Sequence, residues 1–98
     1  MRYAIVLAPE AAADFRRLAA RLRAIARDAL DTHLRYEPTK ASRSRIKRLR
    51  GLSKPQYRLR VDTLRIFYYD VTAGRVEILA ILDKAKAAAW LEREGRRL

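Results

Sequence analysis

The chain has no cysteine. That excludes a disulfide framework and a thiolate zinc site. Glycine and proline number only three each, and no glycine-rich phosphate loop is present. A single histidine, His33, has no partner in the sequence, so it reads as a helix-surface or half-buried side chain. Acids are scarce, 11 against 23 Lys and Arg, and no carboxylate cluster of the kind that holds magnesium stands out. Metal catalysis is therefore not expected. Long apolar runs are missing too. Residues 3–8 form a run too short for a signal-peptide core or a membrane span, and Pro9 and Glu10 interrupt it. The expectation is a soluble cytoplasmic protein without a membrane partner.

What is there is positive charge on a foldable chain. Ninety-eight residues, half of them hydrophobic, suit one domain over 1–98 with a single modest core. The net charge of +12 is large for that size and points to a polyanionic partner. There are no internal repeats and no linker.

The most informative stretch is YRLRVDTLRIFYYD, residues 57–70. Alternation of apolar and basic residues predicts two strands joined by a turn at Asp62 and Thr63. Folding there sets Val61 opposite Leu64, Leu59 opposite Ile66 and Tyr57 opposite Tyr68, one apolar face. The other face sets Arg60 opposite Arg65 and Arg58 opposite Phe67. Like charges directly across a hairpin are unfavourable. A face that keeps them looks like an anion-binding surface.

Residues 2–8 read as a first strand, apolar at nearly every position and so expected inside the sheet. Pro9 and Glu10 suit a helix start. Phe15, Leu18, Leu22, Ile25 and Ala29 then recur at three- and four-residue spacing, and Leu30 and Leu34 extend the stripe. The pattern fits one helix over roughly 10–36, which would be about 40 Å long, or a hairpin of two helices bent near residues 20–22. Pro38 ends it. Residues 40–50 are the densest charge run, with Arg43, Arg45, Lys47, Arg48 and Arg50. They read as a solvated loop or as an arm that contacts the phosphates of RNA or a ribonucleoprotein. Residues 51–55 and 72–74 read as turns. Val76, Ile78, Ala80 and Leu82, with Leu79 and Ile81, form a third, central strand. Asp83 caps a last helix over Lys84–Glu94, Gly95 stops it, and residues 96–98 form a frayed tail. The predicted class is α+β, with helices on the apolar sheet face. The basic face stays open, flanked by the arm and the last helix.

Arg58, Arg60, Arg65 and Lys84 remain as chemistry, beside Tyr57, Phe67, Tyr68, Tyr69 and Trp90. Aromatics beside guanidiniums suit unpaired bases and phosphate. A cationic pocket also stabilises the extra charge of a phosphodiester transition state. An RNA 2′-hydroxyl then serves as nucleophile, and no cofactor is needed.

Several of these motifs together resemble the RelE/ParE superfamily of bacterial toxin–antitoxin toxins: the opening strand followed by Pro9, Glu10 and Ala11; IKRLRG at 46–51; YRLRVDTLRIFYYD; and VEILAILDK at 76–84. The resemblance spans nearly the whole chain and is stronger to the RelE branch. It implies a β-α-α-β-β-β-α order, with an antiparallel-rich sheet covered on one face by a helical hairpin. It further implies metal-independent cleavage of messenger RNA in the ribosomal A site, the 2′-hydroxyl attacking the neighbouring phosphate. By alignment the functional positions fall on Arg58, Arg60, Arg65, Lys84 and Trp90. Three depart from the family pattern, Lys84 standing where the family has an arginine. Arg58 stands where the archetype has lysine, and a guanidinium is a poor base. Trp90 replaces a tyrosine and has no hydroxyl to transfer a proton. The implied partners are a cognate antitoxin, the ribosome and messenger RNA. The toxin–antitoxin complex is expected to bind operator DNA through the antitoxin. The competing expectations are a ParE-type inhibitor of DNA gyrase and a non-enzymatic nucleic-acid-binding module.

Overall fold

The computed structural model describes residues 2–72 and 74–98, with the side chains of 70–72 set aside. The turn expected at 72–74 therefore lies partly outside the described residues. A strand β1 (Ala4–Leu7) leads into helices α1 (Pro9–Arg17) and α2 (Ala20–Ala29), and a π-helical turn (Leu30–Leu34) extends α2. Short strands β2 (Ile46–Arg48) and β3 (Leu52–Lys54) precede the meander β4 (Tyr57–Val61), β5 (Leu64–Thr72) and β6 (Arg75–Asp83). Helix α3 (Lys84–Glu94) and a two-residue strand β7 (Arg96–Arg97) follow.

The helical stripe folds as a hairpin. Leu18 and Ala19 are extended, with ψ of 146° and 151°, so the break falls just before the expected bend. No glycine or proline makes it. One straight helix of about 40 Å would overrun a molecule whose longest dimension is 34 Å. The break lets both halves lie on the sheet. Arg23 donates to the Leu18 carbonyl at 2.7 Å, which satisfies a carbonyl beyond the end of α1.

The main sheet has the order β1-β6-β5-β4-β2. Hairpin β4–β5 has the register expected from alternation, Tyr57 with Tyr68 through Val61 with Leu64. Asp62 turns it at φ 54°, a left-handed conformation that aspartate tolerates. Strand β1 is an edge strand, parallel to β6, not an interior one. Its apolar character comes from Ile5 and Leu7 packing under the helices. Three further expectations are corrected. Part of the 40–50 run is strand β2 on the other edge, paired with β4. Residues 52–54 are strand rather than turn, and the supposed tail pairs with them as β7. These short pairings depend on distant partners, which local pattern does not show.

The α1–α2 hairpin covers one sheet face, over Leu59, Val61, Leu64, Ile66, Tyr68, Val76, Ile78 and Ile81. Helix α3 packs on the opposite face, around Phe67, Ala80 and Trp90, so the basic face is half covered rather than open. A bulge lies between the pairs Phe67–Ala80 and Tyr68–Ile78, with Leu79 as the extra residue. It sends Ile78 and Ile81 to the helical-hairpin side and Leu79, Ala80 and Leu82 to the α3 side. Buried Asp14 of α1 accepts the Ile81 N–H at 3.0 Å and Arg17 at 2.7 Å. It satisfies a β6 amide just past the end of the β1 pairing.

Candidate phosphate-binding cleft

On the α3 side, four strands present one row: Lys47 beside Arg58, Arg58 beside Phe67, Phe67 beside Ala80. The next row sets Arg60 beside Arg65 and Arg65 beside Leu82. Period-two alternation puts the cations on one face, and the small Ala80 leaves room for α3. The Trp90 ring stacks on Phe67 at 5.0 Å and 15°, and its Nε1–H donates to Glu10 Oε1 at 3.0 Å. These contacts seat α3 on the sheet. Asp83 accepts the Ala85 N–H at 2.9 Å as the N-cap, and Gly95 ends the helix, both as expected.

Between α3 and the sheet a cleft of about 360 Å³ remains. Lys47, Arg58, Arg65 and Lys84 line it, over an apolar floor that includes Leu49, Phe67 and Leu91. No carboxylate lines it. The ion pairs of the described residues lie elsewhere: Arg17–Asp14, Arg21–Asp62, Arg35–Asp31, Lys40–Glu37, Lys54–Glu77 and Arg93–Glu94. Arg58 Nε is buried and has no hydrogen-bond partner among the described residues. Burial, then Arg65 and Arg60, lower the Arg58 pKa from the ordinary guanidinium value. Its charge is thus disfavoured by the site itself, and a bound anion relieves that. Arg65 donates to the carbonyls of Leu64 at 2.8 Å and Asp62 at 3.3 Å, so the hairpin turn orients it.

The structure gathers Arg58, Arg65 and Lys84 from the expected set. Arg60 shares the sheet face but is exposed outside the cleft lining. Trp90 is only 4% exposed; its ring and its N–H are both engaged within the fold. Of the basic run, Lys47 enters the cleft. Arg48 goes to the other side of β2, its guanidinium 5.2 Å from the Tyr57 ring centre and 2.8 Å from the Gln56 carbonyl. Arg43 and Arg50 are exposed in loops. Arg45 lines a separate cavity with His33. Of the apolar lining, Phe67 was among the aromatics expected beside the guanidiniums, whereas Leu91 was not singled out. The signal for Lys47 was its alternation with Ile46, usable only once β2 is known to pair with β4.

No protein-family model and no curated protein sequence matches this chain. Among solved structures, it is similar to a chain of the toxin–antitoxin complex RelBE2 from Mycobacterium tuberculosis, with a TM-score of 0.60 and 25% identity. The match covers 85% of this chain and 99% of that one. This is a RelE-type toxin fold. The match bears out the resemblance to the RelE branch read from the sequence motifs. In the RelE-type fold of this chain, the cleft lies between α3 and the strands that carry the quoted motifs.

Proposed function

We propose that this protein is the toxin of a type II toxin–antitoxin pair and cleaves messenger RNA on the ribosome. The acid-free cleft of Lys47, Arg58, Arg65 and Lys84 carries this reading. In the proposed reaction the 2′-hydroxyl oxygen forms a bond to the adjacent phosphorus as the bond to the 5′-oxygen breaks. The products are a 2′,3′-cyclic phosphate and a 5′-hydroxyl. Negative charge grows on the phosphorane oxygens, and Arg58 and Arg65 stabilise it from positions set before reaction. Arginine suits this role better than proton transfer. Lys47 and Lys84 are the cleft groups able to exchange a proton with the entering or leaving oxygen. Trp90 acts by holding α3, and with it the cleft wall, against Phe67. Arg60 and the exposed Arg43 and Arg50 extend the positive surface towards ribosomal RNA. Arg48 supports the β2 edge.

The proposed partners are a cognate antitoxin with an acidic, amphipathic segment, the ribosome and its message, in the cytoplasm. Operator DNA would be bound by the toxin–antitoxin complex through the antitoxin.

The test is primer extension on a translated message with ribosomes, comparing wild type with Arg65→Ala, and a gyrase supercoiling assay alongside. The expected result is ribosome-dependent cuts within codons that disappear in the folded variant. An intact message with inhibited gyrase would replace this reading with ParE-type inhibition. An intact message with salt-sensitive RNA binding would leave a binding module.

A further inference from the structure

A second cavity, of about 410 Å³, opens near the other side of the β2 edge strand, with Thr32, His33, Tyr36, Ser42 and Arg45 in its lining. Thr32 and His33 belong to the π-helical turn, an uncommon element that often marks functional sites. Tyr36 is 59% exposed; among the described residues, only Leu98 joins it as an exposed large hydrophobic side chain. Tyr36 and Arg45 line the same cavity, so a solvent-facing aromatic ring and a cation share one pocket.

The loop is built to hold Arg45 there. Ser42 Oγ accepts the N–H groups of Arg45 and Ile46, each at 3.1 Å. The Arg45 carbonyl accepts the Arg60 N–H at 2.8 Å, tying the loop to β4. Glu37 also lines the cavity but is paired with Lys40 at 3.2 Å. Arg45 has no ion-pair partner among the described residues. Burial, then Arg45, lower the His33 pKa from its ordinary value. A neutral imidazole offers one donor and one acceptor, which suits a base edge. Two residues along the chain from Arg45, Lys47 already lines the cleft.

We propose that this cavity is a second nucleotide subsite, which takes one residue of single-stranded RNA passing over β2 from the cleft. The base stacks on Tyr36 with its edge towards His33 and Thr32, and the phosphate meets Arg45. The inference deepens the RNA-cleaving reading and rests on it for the identity of the strand.

Backbone and side-chain NMR shifts during titration with adenosine 5′-monophosphate test it, with inorganic phosphate as the control. In the wild-type chain, His33, Tyr36 and Arg45 should shift, and phosphate alone should bind more weakly. Tyr36→Ala should weaken nucleotide binding by at least about five-fold, since base–aromatic stacking is lost. Tyr36→Phe keeps the ring and should retain it. Shifts confined to Arg58, Phe67 and Lys84, an affinity unchanged by Tyr36→Ala, or phosphate binding as well as the nucleotide would each overturn the subsite. The titration needs no ribosome and no cleavage. A chain that binds nucleotide here yet leaves messages intact sinks the nuclease reading and not the subsite.

Discussion

Asp14 shows how one side chain ties a helix to the sheet. It is buried, and both its oxygens are used, one by the Ile81 amide and one by Arg17. Truncation leaves a buried β6 amide without a partner, so Asp14→Ala should cost about 1–3 kcal/mol in urea denaturation. Arg17→Ala should cost far less, because that guanidinium is exposed. His33 supplies a pH-dependent term. Burial and Arg45 lower its pKa in the folded chain, so between the folded and unfolded values the unfolded chain binds more protons. Acidification through the ordinary histidine range therefore favours unfolding. The urea midpoint should fall more steeply from pH 8 to pH 5 in the wild type than in His33→Gln. An equal fall in both would remove His33 from the account.

At the scale of elements, α3 and the β4–β5 hairpin form the two walls of the cleft, and Trp90 joins them. Trp90→Phe keeps an aromatic ring against Phe67 and loses the N–H to Glu10 with part of the buried indole. It should fold nearly as well as the wild type and retain most RNA binding. Trp90→Ala empties the space under the helix and should destabilise by about 3–5 kcal/mol. Circular dichroism melts and RNA-binding isotherms on the two variants separate packing from contact. A Trp90→Phe variant that is fully stable but has lost RNA binding would return the indole to direct contact with RNA. The hairpin was legible from local pattern: alternation set its register, and the like-charge pair Arg60–Arg65 marked the face on which the cationic cleft lies. Strand β2 was not legible. Three residues are too few for a period to emerge, and their meaning depends on β4, about ten residues further on.

Across the whole molecule, the cations near the helices and those in the cleft differ in their partners. On and just after the helical hairpin, Arg17, Arg21 and Arg35 pair with acids, Arg23 with a carbonyl, and Arg27 lies over Phe15. In the cleft, Lys47, Arg58, Arg65 and Lys84 have no acid partner among the described residues. Binding of single-stranded RNA should therefore weaken as salt rises, with log K against log salt changing by about −0.7 for each phosphate contact. Lys47→Ala should reduce that slope by about one such contact, and Arg21→Ala should leave it nearly unchanged. Fluorescence anisotropy across a salt series measures both, and an equal loss in the two variants would mean that net charge, not the cleft, sets affinity.

By itself the sequence determined the hairpin register, the opposite polarity of its faces, the start and stop of α3, and the family resemblance. Each is written in residues that are neighbours along the chain, where period, capping and turn chemistry act directly. Only the tertiary structure decided that β1 is an edge, that Leu79 bulges and that α3 crosses to the basic face. It also put Lys47 in the cleft and Arg48 out of it, and buried Trp90 against Phe67. Those outcomes depend on which distant strand each segment pairs with. A one-residue shift in pairing moves a side chain to the other face of the sheet, so local pattern does not contain them.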